Sequence, residues 1–445
     1  MVLLNSSHGP IDLPLWALVP FILMLLMIAV APLFMNHWWE KNRNKLMVSL
    51  ILGVPTAIYL IAVGLTHDLT HQILFDYVPF IILLGALFTV TGGIHLKGDI
   101  EAKPSINTLF LGIGAVLASI MGTTGAAMLL IRPLITTNQQ RKYKVHTILF
   151  FIAVVANCGG LLTPLGDPPL FLLYLRGVDF SWFLNLIPAW ALTNGVLLAI
   201  YYACDSYFYR KEPIESIIRD KTEIESLKIT GTLNFLWLAG IVLSVAFITS
   251  KTFFSAPEDV EHYGNTFKLI QSGVLIFMAI LSLTFTKKVI REANKFSWAP
   301  ITEVAFLFLG IFITMVPALL YLAANASSFG LSSPAHFYYA TGTLSAFLDN
   351  APTAISFYEL ARGINFTNLP DAVIVAGIPE IIMECIAVSA VLFGAMTYIG
   401  NGPNFMIKAI AEENKIAMPS FFGYIIKFSL IVLLPVYILV KLICF

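Results

Sequence analysis

Charge is what this sequence has least of. Asp, Glu, Lys and Arg make up 12% of its 445 residues, and the two signs cancel to a formal net charge of +0. A soluble domain covers itself with about twice that share of charged side chains, roughly 25%, so a water-exposed globule is excluded. Cysteine is also scarce: Cys158, Cys204, Cys385 and Cys444 stand far apart in or beside apolar runs, without the CxxC or Cys/His spacing of a disulfide framework or a zinc site. The sequence has no basic stretch with interleaved aromatics, which argues against nucleic acid as a partner. HExxH is missing, and residues 164–167 lack the first glycine of a GxGD signature, so an intramembrane protease finds no support.

What is present is apolar length. Hydrophobic residues reach 58% and the mean hydropathy is +0.84, so the lipid bilayer is the expected partner. Crossing its core as a helix takes roughly 20 apolar residues. Runs 14–35, 46–64, 77–96, 182–208, 231–250, 268–285, 301–323 and 418–443 meet that length. The first is longer than a signal-peptide core, has no basic flank before it and no small-residue cleavage site after it, and is expected to stay. Two more runs, 145–176 and 371–413, are interrupted by Gly/Pro clusters at 159–169 and 394–403. The expected fold is therefore an all-α integral membrane protein with about ten transmembrane helices, two of them broken.

Segments 105–137 and 333–363 each have a breaker in the middle, Gly122-Thr123-Thr124-Gly125 and Asp349-Asn350-Ala351-Pro352. Halves of about 15 residues are too short to cross. Re-entrant hairpins are predicted, with tips that face a site, because open backbone at depth is tolerated only inside protein or around a wet cavity. The positive-inside rule assigns to the cytoplasm the loops with Lys41, Arg43 and Lys45; Lys97 and Lys103; Arg141, Lys142 and Lys144; Arg210 to Lys228; Lys287 to Lys295; and Lys408 and Lys415. Arg176, Lys251, Lys268, Arg362 and both termini fall outside. A multi-pass protein of the cell (inner) membrane is the expectation.

One pattern occurs twice. Gly160-x-x-Thr163-x-Leu165-Gly166-Asp167-x-Pro169 returns 234 residues later as Gly394-x-x-Thr397-x-Ile399-Gly400-Asn401-x-Pro403, and the hairpin tips pair 227 residues apart, Gly122 against Asp349. Five spans and one hairpin per half make an odd number of crossings, so the second copy is expected to be inverted. The halves are residues 1–208 and 231–445, joined by a cytoplasmic linker at 209–230. Gly/Pro-interrupted segments in corresponding positions point to a binding site near the bilayer midplane.

Such breaks expose backbone N–H groups at one half-helix start and carbonyls at the other half-helix end. The candidate ion or substrate ligands are Thr123, Thr124, Asn157, Thr163, Asp167, Asp349, Asn350, Thr353, Thr397, Asn401 and Asn404. Against this stands the plain alternative that Thr, Asn and Asp cap the half-helices. Asp167 and Asp349 are the sharper pair, since an ionised carboxylate at depth costs at least about 2.5 kcal/mol. Glu380 and Glu384, four apart on one helix face, join them as proton-coupling candidates. Arg132 and Glu359 occupy equivalent hairpin positions and read as a structural charge pair or as snorkelling ends.

At these motifs the sequence resembles the ion transporter superfamily, which includes NhaD-type sodium/proton antiporters, divalent-anion symporters and citrate–metal symporters. The likeness runs from about residue 77 onward. It is carried by Asn157-Cys-Gly-Gly-Leu-Leu-Thr-Pro-Leu-Gly-Asp167, the tips Gly122-Thr-Thr-Gly and Ser345-Ala-Phe-Leu-Asp-Asn-Ala-Pro-Thr353, and Gly394-Ala-Met-Thr-Tyr-Ile-Gly-Asn-Gly-Pro-Asn404. The resemblance implies cation and proton handling at 157–167 and at Asp349-Asn350, with Na⁺ at Asn157, Asp349, Asn350 and Asn401. The first tip departs from it, because Thr123-Thr124 offers neither Asn nor an acid. The expectation is a Na⁺/H⁺ antiporter working by alternating access, with Na⁺ and H⁺ as transported ions and no cofactor. The alternative is a Na⁺- or H⁺-coupled symporter of citrate or another carboxylate; an enzyme or a channel is the reading from another class. The oligomeric state is open, a homodimer included.

Overall fold

The computed structural model describes residues 13–366, 369 and 372–445. The expected beginning of the second broken run at Asp371 and the placement of the first twelve residues lie outside the described residues. The fold is built of helices: α1 Leu15–Phe34, α2 Asn42–Ala62 and α3 Thr66–Thr91, then α4 Pro104–Met121, α5 Thr123–Thr137, α6 Val145–Val154, α7 Pro168–Leu175 and α8 Ile187–Tyr209. The second half repeats the series with α9 Asn234–Phe247, α10 Pro257–Phe285, α11 Ala299–Ala324, α12 Pro334–Phe347, α13 Asn350–Arg362, α14 Glu380–Phe393 and α15 Gly402–Glu413. It closes with α16, Phe421–Cys444.

Nine helices among the described residues are long and apolar enough to cross a membrane. The count differs from ten for local reasons. Run 231–250 forms only the 14-residue α9, the second broken helix stops at Phe393, and α4 has 18 residues, more than the half-hairpin length expected. Two spans also start earlier than their apolar runs. α3 begins at Thr66 and takes Asp68, Gln72 and Asp76 into a helix that passes through a π-helical turn at Gln72–Tyr77; α10 begins at Pro257. Hydropathy sees only lipid-facing length, whereas Asp76 and Gln72 are buried against protein.

Both hairpins double back. Asn107 and Asn138, at the two feet of the first, hydrogen-bond to each other at 2.9 and 3.1 Å, and a methyl at Gly114 would touch Leu130 across the arms. In the second, the Phe337 ring packs edge-on against Phe357 at 6.4 Å. The turns are tighter than the breaker motifs suggest: Gly122 alone separates α4 from α5, and Leu348-Asp349 separates α12 from α13.

The helices form two sets. In the outer frame α2 packs on α11 and α10 on α3, while α1 also touches α11 and α9 touches α3. Each of these pairs joins the third helix of one half to the first or second helix of the other. The inner set holds the hairpins and broken helices with α8 and α16. It repeats the exchange, α13 lying against α7 and α5 against α15. Frame and inner set meet where α3 touches α5 and α11 touches α13.

Loops assigned to one face by charge do meet in space. Strand β1, His95–Asp99, pairs antiparallel with β2, Glu225–Thr230, and Asn42 donates to the Ala299 carbonyl at 2.9 Å, all in segments expected at the cytoplasm. On the opposite face Lys251 pairs with Asp179 at 2.6 Å and Trp182 donates to Glu380 at 2.7 Å.

Candidate functional site

Four half-helices start at the centre of the inner set: α5, α7, α13 and α15, with Gly122, Asp167, Asp349 and Asn401 at their N-caps. The breaks are held open by backbone packing that only glycine permits. A Cβ on Gly166 would stand 1.9 Å from the Gly160 carbonyl oxygen, and one on Gly400 would stand 2.7 Å from that of Gly394. Matching clasps tie each break to its own hairpin tip. Thr163 Oγ1 donates to the Ser119 carbonyl and accepts from the Leu165 N–H at 3.2 Å. Thr397 Oγ1 donates to the Ala346 carbonyl at 2.5 Å and accepts from the N–H groups of Ile399 and Gly400 at 3.2 and 3.0 Å.

Asp167 lies between these starts, 1% exposed. Its side chain makes no capping bond to its own helix. Instead Oδ1 accepts from Thr123 Oγ1 at 2.8 Å and Asn401 Nδ2 at 3.0 Å, and Oδ2 accepts from Asn350 Nδ2 at 2.6 Å. Among the described residues no Lys, Arg or His pairs with it. Asn401 Nδ2 also reaches Asn157 Oδ1 at 3.1 Å, and Asn157 Nδ2 donates to Asn404 Oδ1 at 2.7 Å. Asn404 in turn donates to the carbonyls of Gly394 and Thr397 at 2.8 and 2.9 Å. One polar chain thus runs through six buried side chains taken from both halves.

The other candidates sit apart from this chain. Asp349 caps its own helix, Oδ1 accepting from the Ala351 N–H at 3.1 Å, as the capping alternative expects. Thr353 bonds back to the Asp349 carbonyl at 2.8 Å. Thr163 and Thr397 are clasps. Thr124 lines a cavity of about 70 Å³ between the first tip and the frame, bounded by Leu87, Phe88, Ile301 and Val304. Glu380 is held by Trp182 near the start of α14, and at 1.5 Å rise per residue it lies roughly 20 Å from the break at Gly394; Glu384 is one turn deeper. Arg132 and Glu359 do not pair. Glu359 meets Arg176 at 3.5 Å and Arg362 at 3.2 Å, and Arg132 lies within electrostatic range of Glu413.

Sequence reasoning missed Ser119, Trp190 and Asn194, which satisfy backbone at the first break. Ser119 Oγ and Trp190 Nε1 donate to the Gly159 carbonyl at 2.5 and 3.0 Å, and Asn194 Nδ2 donates to that of Cys158 at 3.3 Å. An Asn inside the apolar run 182–208 was the available signal.

Residues 10–445 match the model of a family described as "Putative citrate transport". The chain belongs to this family. It also matches "Inner membrane protein YbiR" of Escherichia coli (strain K12), 28% identical over 136 residues, a stretch that takes in 28% of this chain and 36% of that protein. The apolar helices and membership in this family make the chain a multi-pass membrane protein.

Proposed function

We propose that this protein exchanges Na⁺ for H⁺ by alternating access, with Asp167 as the group that holds one or the other. The observation that carries the reading is the setting of Asp167: sealed from water, bound by three neutral donors from both halves, and lacking a basic partner among the described residues. A buried carboxylate of this kind is costly until a proton or a metal cation neutralises it. Rotating the Asn350 or Asn401 amide by half a turn presents an oxygen in place of the NH₂, and with Asn157 Oδ1 this supplies the oxygen-only ligands that a hard cation prefers. The cavity beside the tip, about 70 Å³, has room for roughly five waters and falls well below the roughly 300 Å³ at which small-organic-ligand sites begin.

A second reading, a cation-coupled carboxylate symporter, draws on a different observation. Four half-helix N-termini, each worth roughly half a positive charge, face the same point and suit an anion, and the family description names citrate. In proteoliposomes loaded with a pH dye, Na⁺ added without any organic anion moves protons under the first reading. Labelled citrate uptake without Na⁺-driven proton movement sinks it in favour of the second.

A further inference from the structure

A buried cluster of charge lies away from Asp167, on the seam between the frame and the inner set. Asp76, in the π-helical turn of α3, is 3% exposed. Its Oδ2 stands 3.3 Å from Arg176 Nη2, at the end of α7, and its Oδ1 stands 3.7 Å from Lys268 Nζ on α10. Arg176 also meets Gln72 Oε1 at 3.2 Å and Glu359 Oε1 at 3.5 Å. Asp76 and Lys268 belong to the frame, and Arg176 and Glu359 to the inner set, so the Asp76–Arg176 pair bridges the two. The seam around it, lined by Phe312, Met315 and Ile355, is too narrow to admit a water molecule.

The repeat relates this cluster to a second one near the opposite face. Glu303 on α11 stands 227 residues after Asp76, and Arg132 on α5 stands 227 before Glu359. Glu303 pairs with Lys45 at 2.7 Å, both within the frame, and its side chain is 40% exposed. Arg132 makes no ion pair among the described residues and lies within electrostatic range of Glu413 in the inner set. Here no ion pair among the described residues bridges frame and inner set, and here the cavity opens beside Ile301 and Val304. One seam is closed and bridged; its counterpart is open and unbridged.

We propose that Asp76–Arg176 is one position of a two-position latch whose other position is Glu303–Arg132. The first pair holds the conformation in which the cavity at the first tip is open. When the inner set shifts, the first pair separates and the second forms, with an acid on the third frame helix and a base on the inner set in both states. The inference rests on the alternating-access reading. A switch of this kind needs discrete arrangements whose balance each pair biases.

The test labels Ile301→Cys with a membrane-impermeant maleimide in the full-length protein in proteoliposomes, after Cys204 and Cys444, the two partly exposed cysteines, are changed to Ser. Removing the bridge by Arg176→Gln or Asp76→Asn is expected to slow labelling about fivefold or more, as the cavity-open population falls. A monodisperse size-exclusion profile for both variants, matching that of the parent, shows that the loss is not misfolding. Adding Glu303→Gln to Arg176→Gln also restores labelling, since neither position then holds. Unchanged labelling in Arg176→Gln and Asp76→Asn overturns the latch, and failure of Glu303→Gln to restore it removes Glu303 as the second position. Parent labelling that ignores Na⁺ and citrate alike overturns alternating access instead, a result independent of the variants.

Discussion

The two broken helices are built alike and charged differently. Gly160 and Gly166 make the same backbone approach as Gly394 and Gly400, and Thr163 and Thr397 make the same clasp to their hairpin tips. At the next position the copies part: Asp167 in the first, Asn401 in the second, each the N-cap of the half-helix that follows. They are joined directly, Asn401 Nδ2 donating to Asp167 Oδ1 at 3.0 Å. The repeat supplies a cradle of opened backbone, and a single departure from it supplies the charge. Two acids 3.0 Å apart would repel, whereas an acid and an amide bond to each other.

That contrast can be broken most directly at its charged member. Asp167→Asn is expected to abolish Na⁺-driven proton exchange in proteoliposomes while leaving a monodisperse protein, because the amide keeps the volume and loses the titratable oxygen. Adding Asn401→Asp moves the acid to the equivalent position; part of the exchange should return, and a double variant as inactive as the single one breaks the equivalence of the two sites.

The cradle is tested next. Gly166→Ala and Gly400→Ala both force a Cβ into a carbonyl, at a cost of about 3 kcal/mol or more. The first should lose more folded protein by size-exclusion profile, since its clash distance is 1.9 Å against 2.7 Å. The clasps come third. Thr397→Val should lower stability by about 1–3 kcal/mol, and Thr163→Val by less, because Thr397 accepts from two N–H groups and Thr163 from one; thermal-shift midpoints rank them. Smallest is Glu380→Gln near the start of α14, where exchange should match the parent within measurement error.

Much of this was legible beforehand. The breaks follow from a local rule, that glycine and proline interrupt helices; arm length did not follow, because α4 runs to 18 residues. Six of the eleven ligand candidates meet in one chain of hydrogen bonds. Asp349 could not be separated from Asp167 by sequence, because both precede a half-helix start in a polar motif. The difference is whether the carboxylate turns back to its own N–H groups, as Asp349 does, or outward to three partners on other elements, as Asp167 does. Arg176 was counted only as a loop charge, because its partner Asp76 precedes the apolar run of α3.

By itself the sequence determined that the chain lives in lipid, where it breaks and which of its segments correspond, since these depend on apolar length and on residues that cannot continue a helix. Only the tertiary structure decided which acid turns to three neutral donors on other elements, which polar side chains form one chain, and which charges bridge the frame to the inner set. Those outcomes depend on contacts between residues up to 247 positions apart, and spacing along the chain carries no record of which way a side chain turns.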